Sequence, residues 1–470
     1  MKSITNLWKK IKHIYDDIHQ MTKVSELINY IPEQSIEKVS ILLLVIWVLS
    51  PIIVMFYNTT IQDMEESYLI FKQYPSSIYW YQILQTIGFL GCILVIITFS
   101  KSILKAKNEK ISIKEYVKNN LFLLLLFLML VWSIFSCLAS DNIEISLNGT
   151  LYRKDGIITY FTYCGIFCCG YIIRNKRYIK YILEFLTLAA AVLSIFMLIN
   201  SETLNNLFGL TSDSSVFCQF NHFAYYLCIS LMCALLLFEI EKKSTPRLIF
   251  RITIFAVIVA ALVKNGALGP YIASVAGLIC SVILIRWLDK KYLKRILIAI
   301  GVFMMVTIIM NASNEHLYKD IKTLGGDIFK VASESPDAGK AGTGRWILWM
   351  NGLRFISEKP VLGYGPDNLG DQYAKVNIST DRPHNEVIQF AASLGIPAAI
   401  LYIIAVSIYF MAFIRKRRLV SMVEIGMLCT IIAYFVSSMF GNTMYYTSPF
   451  FFMLWGISSG TLLSQRCKNS

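Results

Sequence analysis

Charge is scarce in this chain. Only 16% of its 470 residues are Asp, Glu, Lys or Arg, 56% are hydrophobic, and the mean hydropathy is +0.57. A soluble globular domain carries more charge and fewer long apolar runs, so that class is excluded. The N-terminus does not read as a cleavable signal peptide, because residues 1–37 are polar and mixed in charge before the first apolar run. The stretch "LWKKIKHIYDDIHQMTKVSELINYI" fits an amphipathic helix on a membrane surface or a solvated cytoplasmic helix. The 11 cysteines lack the paired spacing and histidine neighbours of a zinc site, "CGIFCC" included. Most of them, such as Cys92, Cys164, Cys168, Cys169, Cys228, Cys233, Cys280 and Cys429, fall inside apolar runs, where cysteine is a small apolar residue. Cys218 falls in a predicted loop without an evident disulfide partner. "VLGYGPDN" has no G-K-[ST] ending and is no nucleotide loop. No half-to-half repeat of the kind many transporters show is visible.

What the chain has is apolar length. About 12 segments reach the roughly 20 residues that cross a bilayer. Their cores are 40–57, 80–99, 121–139, 157–173, 181–199, 222–240, 249–263, 267–287, 294–310, 396–414, 422–440 and 448–464. Basic and neutral-to-acidic connections alternate between them. Lys2, Lys9, Lys10, Lys12 and Lys23 precede the first span, and "SKSILKAKNEKISIKEYVK", "IRNKRYIK", "EKKSTPRLIFR", "RWLDKKYLKR" and "IRKRRL" are basic. "NTTIQDMEESYLI" and "NSETLNNLFGLTSDSS" are not. This alternation puts both termini in the cytoplasm and makes the net charge of +14 a topology signal. Nucleic-acid binding is disfavoured, since the cations are spread over short membrane-edge loops that suit anionic lipid heads.

One connection, 311–385, is long, and long loops in compact proteins tend to carry function or to be disordered. Within it "GRWILWMNGLRFISEKP" has apolar residues at helical spacing, with tryptophans suited to the membrane boundary and Pro360 as its stop. Arg345 opens that helix, where a guanidinium beside free N–H groups makes a phosphate site, or an anchor among lipid heads. The sequence between, over 326–343, reads as a mobile flap. "RPHNEVIQF" then starts another helix, with Pro383 at its first position, His384 in its first turn and Gly395 as its C-terminal cap. The helix dipole there would keep the imidazole neutral and able to take a proton, with Arg382 one residue outside facing the same ligand. A hydrogen-bonded structural histidine is the plainer alternative. Other polar groups of the same face are Arg153, Lys154 and Asp155 in "LYRKDG", Asn221 and His222 in "FCQFNHFAYYL", and Lys264 and Asn265 in "LVKNGALGPY". Ionisable groups at membrane depth are costly and mark function, although Lys154 also suits an interfacial anchor. Tyr445 and Tyr446 in "FGNTMYYTSPF" read as aromatic-belt residues.

The order "FCQFNHFAYYL", a short polar turn, "GTGRWILWMNGLRFISEKPVLGYGPDN" and "RPHNEVIQFAASLGIPAAIL" resembles the O-antigen ligase and polysaccharide polymerase superfamily (the Wzy/WaaL type), over roughly residues 120–440. The resemblance implies an all-α polytopic membrane protein of the GT-C type. It implies transfer of a glycan from an undecaprenyl-diphosphate carrier to an acceptor glycan hydroxyl, without nucleotide sugar, cofactor or metal. His384 matches the loop histidine held to activate the acceptor, and Arg345 the loop arginine that holds the diphosphate. Arg382, Arg153, Lys264, Asn385, Asn221 and His222 are the further candidates for diphosphate or substrate binding. The chain departs from the pattern at "VKNGALG", where many members carry an arginine. Lys264 could supply charge there, but lacks the two-donor fork of arginine.

The expectation is therefore a multi-pass protein of the bacterial plasma membrane. Its parts are a cytoplasmic segment 1–37, spans over 38–310, an extracytoplasmic catalytic loop 311–385, spans over 386–464 and a cytoplasmic tail 465–470. The richness in Lys, Ile and Asn favours polymerisation of capsular or exopolysaccharide repeats. Ligation of finished glycan to lipid, protein or wall polymer stays open, as does, in another class, a flippase of lipid-linked oligosaccharide. A structural scaffold is disfavoured by the long helical loop.

Overall fold

A computed structural model describes residues 8, 12–13, 15–58, 75–208, 210, 215–217, 219–242, 244–314, 316–333 and 337–464. The readings for Cys218, the connection 59–74 and the tail 465–470 lie outside these residues. The described chain is helical, with no strand. Its helices are α1 (Val24–Tyr30), α2 (Glu33–Asn58), α3 (Pro75–Asn108), α4 (Ile113–Leu138), α5 (Ile143–Asn148), α6 (Ile157–Ile172), α7 (Lys176–Ile199), α8 (Glu202–Phe208), α9 (Phe220–Ile240) and α10 (Thr245–Asn265). They continue as α11 (Leu268–Leu288), α12 (Leu293–Asn314), α13 (His316–Ala332), α14 (Arg345–Glu358), α15 (Gly370–Lys375), α16 (Glu386–Leu394), α17 (Ile396–Arg415), α18 (Met422–Ser438) and α19 (Ser448–Ser464).

Each apolar core read from the sequence lies on one of these helices. Nine of them, α2, α3, α4, α7, α9, α10, α11, α12 and α17, are long and apolar enough to cross a membrane. The other three are shorter: α6 has 16 residues and α18 and α19 have 17 each. At about 1.5 Å per residue these fall a few Å short of the roughly 30 Å hydrocarbon layer. Their short ends have a common place. Asp155 precedes α6, and the turn 440–447 joins α18 to α19. A polar cluster occupies the depth that one more turn of each would fill.

α9 stands at the centre, with every residue from His222 to Glu239 buried. A helix apolar all round must be enclosed, and α7, α10, α11 and α18 enclose it. α6 is held between α3 and α19. The fit is close because a Cβ on Gly165 would fall 1.9 Å from the Gly88 oxygen. Small residues that let backbones approach replace the hydrophobic drive that lipid removes. The outer helices turn Phe89, Ile93, Phe127, Leu128, Met304, Ile308 and Ile309 outward. Such apolar exposure suits hydrocarbon and not water.

The basic connections meet at one end of the bundle. Arg251 pairs with Glu184 and Glu241, Lys180 with Glu241, and Lys176 with Glu424. The opposite end carries α5, α8, α13–α16 and the polar cluster.

Candidate active site

Two loops and a turn build the site: 149–156, 359–385 and 440–447. α14 runs from Arg345 to Glu358 and caps off at Lys359, one residue before Pro360, as its sequence predicts. Arg345, Trp349 and Gly352 lie on one face of it, at the four- and seven-residue spacing that stacks side chains. Gly352 abuts Pro383 and Ile388, where a Cβ would come within 2.7 Å of the Ile388 side chain. Trp349 packs on Phe440 with ring centroids 6.1 Å apart. This seating carries Arg345 toward His384 and the 440–447 turn. The segment read as a flap is helical through Ala332, and Asp327 of α13 accepts the Gly342 N–H at 3.0 Å. Gly342, Thr343 and Gly344 then take three consecutive positive φ angles that deliver the chain into α14.

The helix start at 383–386 differs from its sequence reading. Asn385 is the N-cap, its Oδ1 accepting the N–H groups of Val387 and Ile388 at 3.1 Å each. Pro383 and His384 therefore precede the helix. His384 has φ +54°, a left-handed conformation that a first turn does not contain. Gly395 caps the other end as expected. The Asn385 amide also donates to the Met439 oxygen at 3.2 Å, so this candidate ligand is committed to structure at both ends.

Arg382 is 1% exposed. Its guanidinium donates to Asp155 at 3.3 Å, to the Thr443 oxygen at 3.0 Å and to Asp367, with Asp381 3.7 Å away. Asp155 also accepts from Thr443 at 2.7 Å, Gln389 at 3.2 Å and Tyr163 at 3.2 Å. Asp367 also accepts from the N–H and hydroxyl of Thr150. A buried charge persists only when paired in this way. Arg153 forms a two-pronged pair with Asp381 and turns its remaining nitrogen to the Met444 sulfur at 3.6 Å. Burial alone would raise the Asp381 carboxyl, but Arg153 and Arg382 hold it well below the usual range. Two arginines thus face three carboxylates and bring together 149–156, 367–382 and 443. In this geometry Arg382 braces three segments of chain, and the Arg153 guanidinium is largely paired with Asp381.

Arg345 differs. Its Nη1 donates to the Gly342 oxygen at 3.3 Å and the Thr343 hydroxyl at 2.9 Å, and its Nε is buried without a partner. Among the described residues no carboxylate pairs with it. Its charge is felt at His384. Burial first, then the charges of Arg345 and Arg153, push the imidazole down to about 4. The ring is neutral at pH 7, held so by desolvation and by neighbouring cations. His384 Nδ1 lies 3.2 Å from the Asn442 amide.

Of the remaining candidates, His222 lies within electrostatic reach of Arg153 and His384, and Lys264 is held at the end of α7. Lys264 donates to the last carbonyls of α7, Met197 at 2.8 Å and Leu198 at 3.2 Å. It caps that helix and, among the described residues, makes no contact with the cluster. Lys264→Met is expected to leave transfer within about threefold of wild type, and a tenfold loss in kcat/KM would place Lys264 on the substrate instead. His222 is 2% exposed with its Nδ1 2.8 Å from the Tyr446 hydroxyl, and Asn221 is half-buried beside it in the first turn of α9. Tyr445 and Tyr446 are 2% and 1% exposed, so they are core and not belt residues. Tyr446 stacks on Trp80, which fills the space that a membrane-edge position would leave open. Lys154 lies 5.8 Å over the Tyr81 ring.

Several partners were not read from the sequence: Asp367, Asp381, Gln389, Asn442, Thr443 and Glu386. Glu386 is fully buried, with the Tyr434 hydroxyl 3.4 Å from one of its oxygens and Ser438 and Tyr402 beside the carboxyl. Burial pushes its carboxyl up to about 7. Beside the cluster a half-open apolar pocket is lined by Leu126, Met129, Leu130, Phe390 and Phe452 together with Tyr160 and Tyr163.

No protein of curated function matches the chain. A sequence model of the O-antigen ligase family matches residues 252–403. That stretch runs from α10 into α17 and contains Lys264, Arg345, Arg382, His384 and Asn385. Arg153, Asp155 and Asn442 lie outside it. The match indicates a membrane enzyme of the O-antigen ligase and polymerase type. The described chain is that of an all-α, multi-pass membrane protein, and its segment 252–403 is similar to the O-antigen ligase family.

Proposed function

We propose that the chain transfers a glycan from an undecaprenyl-diphosphate carrier to a sugar hydroxyl at the extracytoplasmic face of the bacterial plasma membrane, joining polysaccharide repeat units. The basic end then lies in the cytoplasm with both termini, and 311–385 is the extracytoplasmic catalytic segment. One observation carries this reading: a neutral, half-buried imidazole stands beside Arg345, a cation with no carboxylate of its own among the described residues.

The chemistry needs those two groups. The acceptor oxygen bonds to the anomeric carbon as the bond from that carbon to the carrier phosphate oxygen breaks. The electron pair leaves with the diphosphate, and Arg345 neutralises the charge that develops there. The hydroxyl proton passes to His384. A single displacement of this kind inverts the anomeric centre, and no step calls for a metal or nucleotide sugar. The apolar pocket beside the cluster suits the hydrocarbon next to the diphosphate.

Purified protein in liposomes, supplied with the host's carrier-linked repeat unit, tests this. Products of several repeats are expected. One transfer of finished glycan to another acceptor would make it a ligase. Lipid-linked sugar crossing the bilayer without a glycosidic product would make it a flippase and end the reading. Arg345→Ala is expected to lower transfer about a hundred- to a thousandfold, with Arg345→Lys recovering only part, since lysine cannot make the planar two-point contact.

A further inference from the structure

We propose that Asn442 is a positioning residue for His384, its side-chain oxygen accepting the Nδ1–H and so leaving Nε2 as the basic nitrogen. This rests on the glycosyl-transfer reading above. Asn442 is 7% exposed, and its amide lies 3.2 Å from His384 Nδ1. The two ends of that amide are told apart only by their hydrogen bonds. With the NH2 group toward the ring, Nδ1 accepts. A neutral imidazole then carries its proton on Nε2 and has no basic nitrogen free. The same orientation leaves Asn442 Oδ1 buried with no partner. An unpaired buried oxygen of this kind costs about 1–3 kcal/mol.

The opposite orientation removes both faults. Oδ1 then accepts from Nδ1–H, and the NH2 group turns to a small pocket that Asn442 lines together with Tyr225, Tyr434, Ser438 and Thr447. Those hydroxyls have lone pairs to accept from it. Backbone and packing fix the pair. His384 stands at φ +54° directly before the Asn385 cap, and Asn442 sits between Gly441 and Thr443, whose hydroxyl is bound to Asp155. The charges that act on His384 are Arg345, Arg153, Arg382 and Asp381. Among the described residues none of these charges lies within hydrogen-bond distance of the ring, so Asn442 is the group that selects the tautomer.

The test compares Asn442→Asp, Asn442→Ala and wild type in the reconstituted, full-length protein. A carboxylate at 442 keeps the acceptor and stabilises the imidazolium, so it is expected to move the acid limb of the kcat/KM profile up by one unit or more. Alanine is expected to lower kcat at least tenfold with KM within about threefold, because substrate contacts are intact. The pKa of His384 is also read without activity, from the pH dependence of its carbethoxylation by diethyl pyrocarbonate, followed on its own peptide. The aspartate variant should shift that titration upward by the same amount. If wild type transfers glycan but aspartate shifts neither curve, or alanine keeps full kcat, the assignment of Asn442 is wrong. If wild type forms no glycosidic product, the underlying transfer reading fails instead, while the labelling titration still reports on the pair.

Discussion

Replacing His384 with alanine is expected to slow transfer about a hundred- to ten-thousandfold while the carrier-linked donor still binds. In the proposed mechanism the imidazole takes the acceptor proton and Arg345 bears the phosphate charge. Loss should therefore fall on kcat and not on donor affinity. The pH dependence has a defined sign. Burial, then Arg345 and Arg153, hold His384 down at about 4. The ring is in its working, neutral form above that value, and activity falls as pH drops through it. The depressed value also means that the folded chain binds fewer protons at His384 than the unfolded chain between about 4 and 6.5, so stability is lost across that window as pH falls. His384→Gln keeps a hydrogen-bonding side chain and cannot act as a base. It should match alanine in rate, and a glutamine variant with near wild-type kcat would assign His384 to structure alone.

Arg382 is expected to have the largest effect on folding. It is 1% exposed and joins Asp155, Asp367 and the Thr443 carbonyl, which come from three separate parts of the chain. Arg382→Leu leaves two buried carboxylates without their cation, which costs about 3–5 kcal/mol. In detergent this should appear as a large fall in the melting midpoint and poor recovery of folded protein. A companion variant separates charge from shape. Arg382→Leu with Asp155→Asn and Asp367→Asn removes the orphaned charges together, and buried ion pairs replaced in concert are often close to neutral. Recovery of the midpoint in the triple variant supports a brace. Arg382→Leu that folds normally but loses donor binding would return Arg382 to the role of a phosphate ligand.

The helices were legible in the sequence because periodicity and length are local. Each apolar core read from the chain lies on a helix, and Pro360 and Gly395 end helices where their backbone chemistry says they should. The beginning of α16 was not legible. Whether proline or asparagine starts the helix depends on which side chain captures the free N–H groups, and Asn385 does. The individual cations were visible, but their partners were not. Arg153 meets Asp381 across 228 positions, and Asp155 meets Thr443 across 288. Nothing local records such pairs, so Arg153 and Arg382 stood beside Arg345 as candidate phosphate ligands with no sign of which were already paired with carboxylates. The three short helices α6, α18 and α19 were read as full spans for the same reason. Their missing turns are explained only by the polar cluster that they border.

The most direct measurement is single-turnover transfer from carrier-diphosphate-linked glycan, made beside equilibrium binding of the same donor, for wild type, His384→Ala and Arg345→Ala in liposomes. The account expects wild type to bind and react, His384→Ala to bind with wild-type affinity without reacting, and Arg345→Ala to lose at least tenfold in binding. Turnover by His384→Ala at the wild-type rate, or donor binding unchanged in Arg345→Ala, would contradict it.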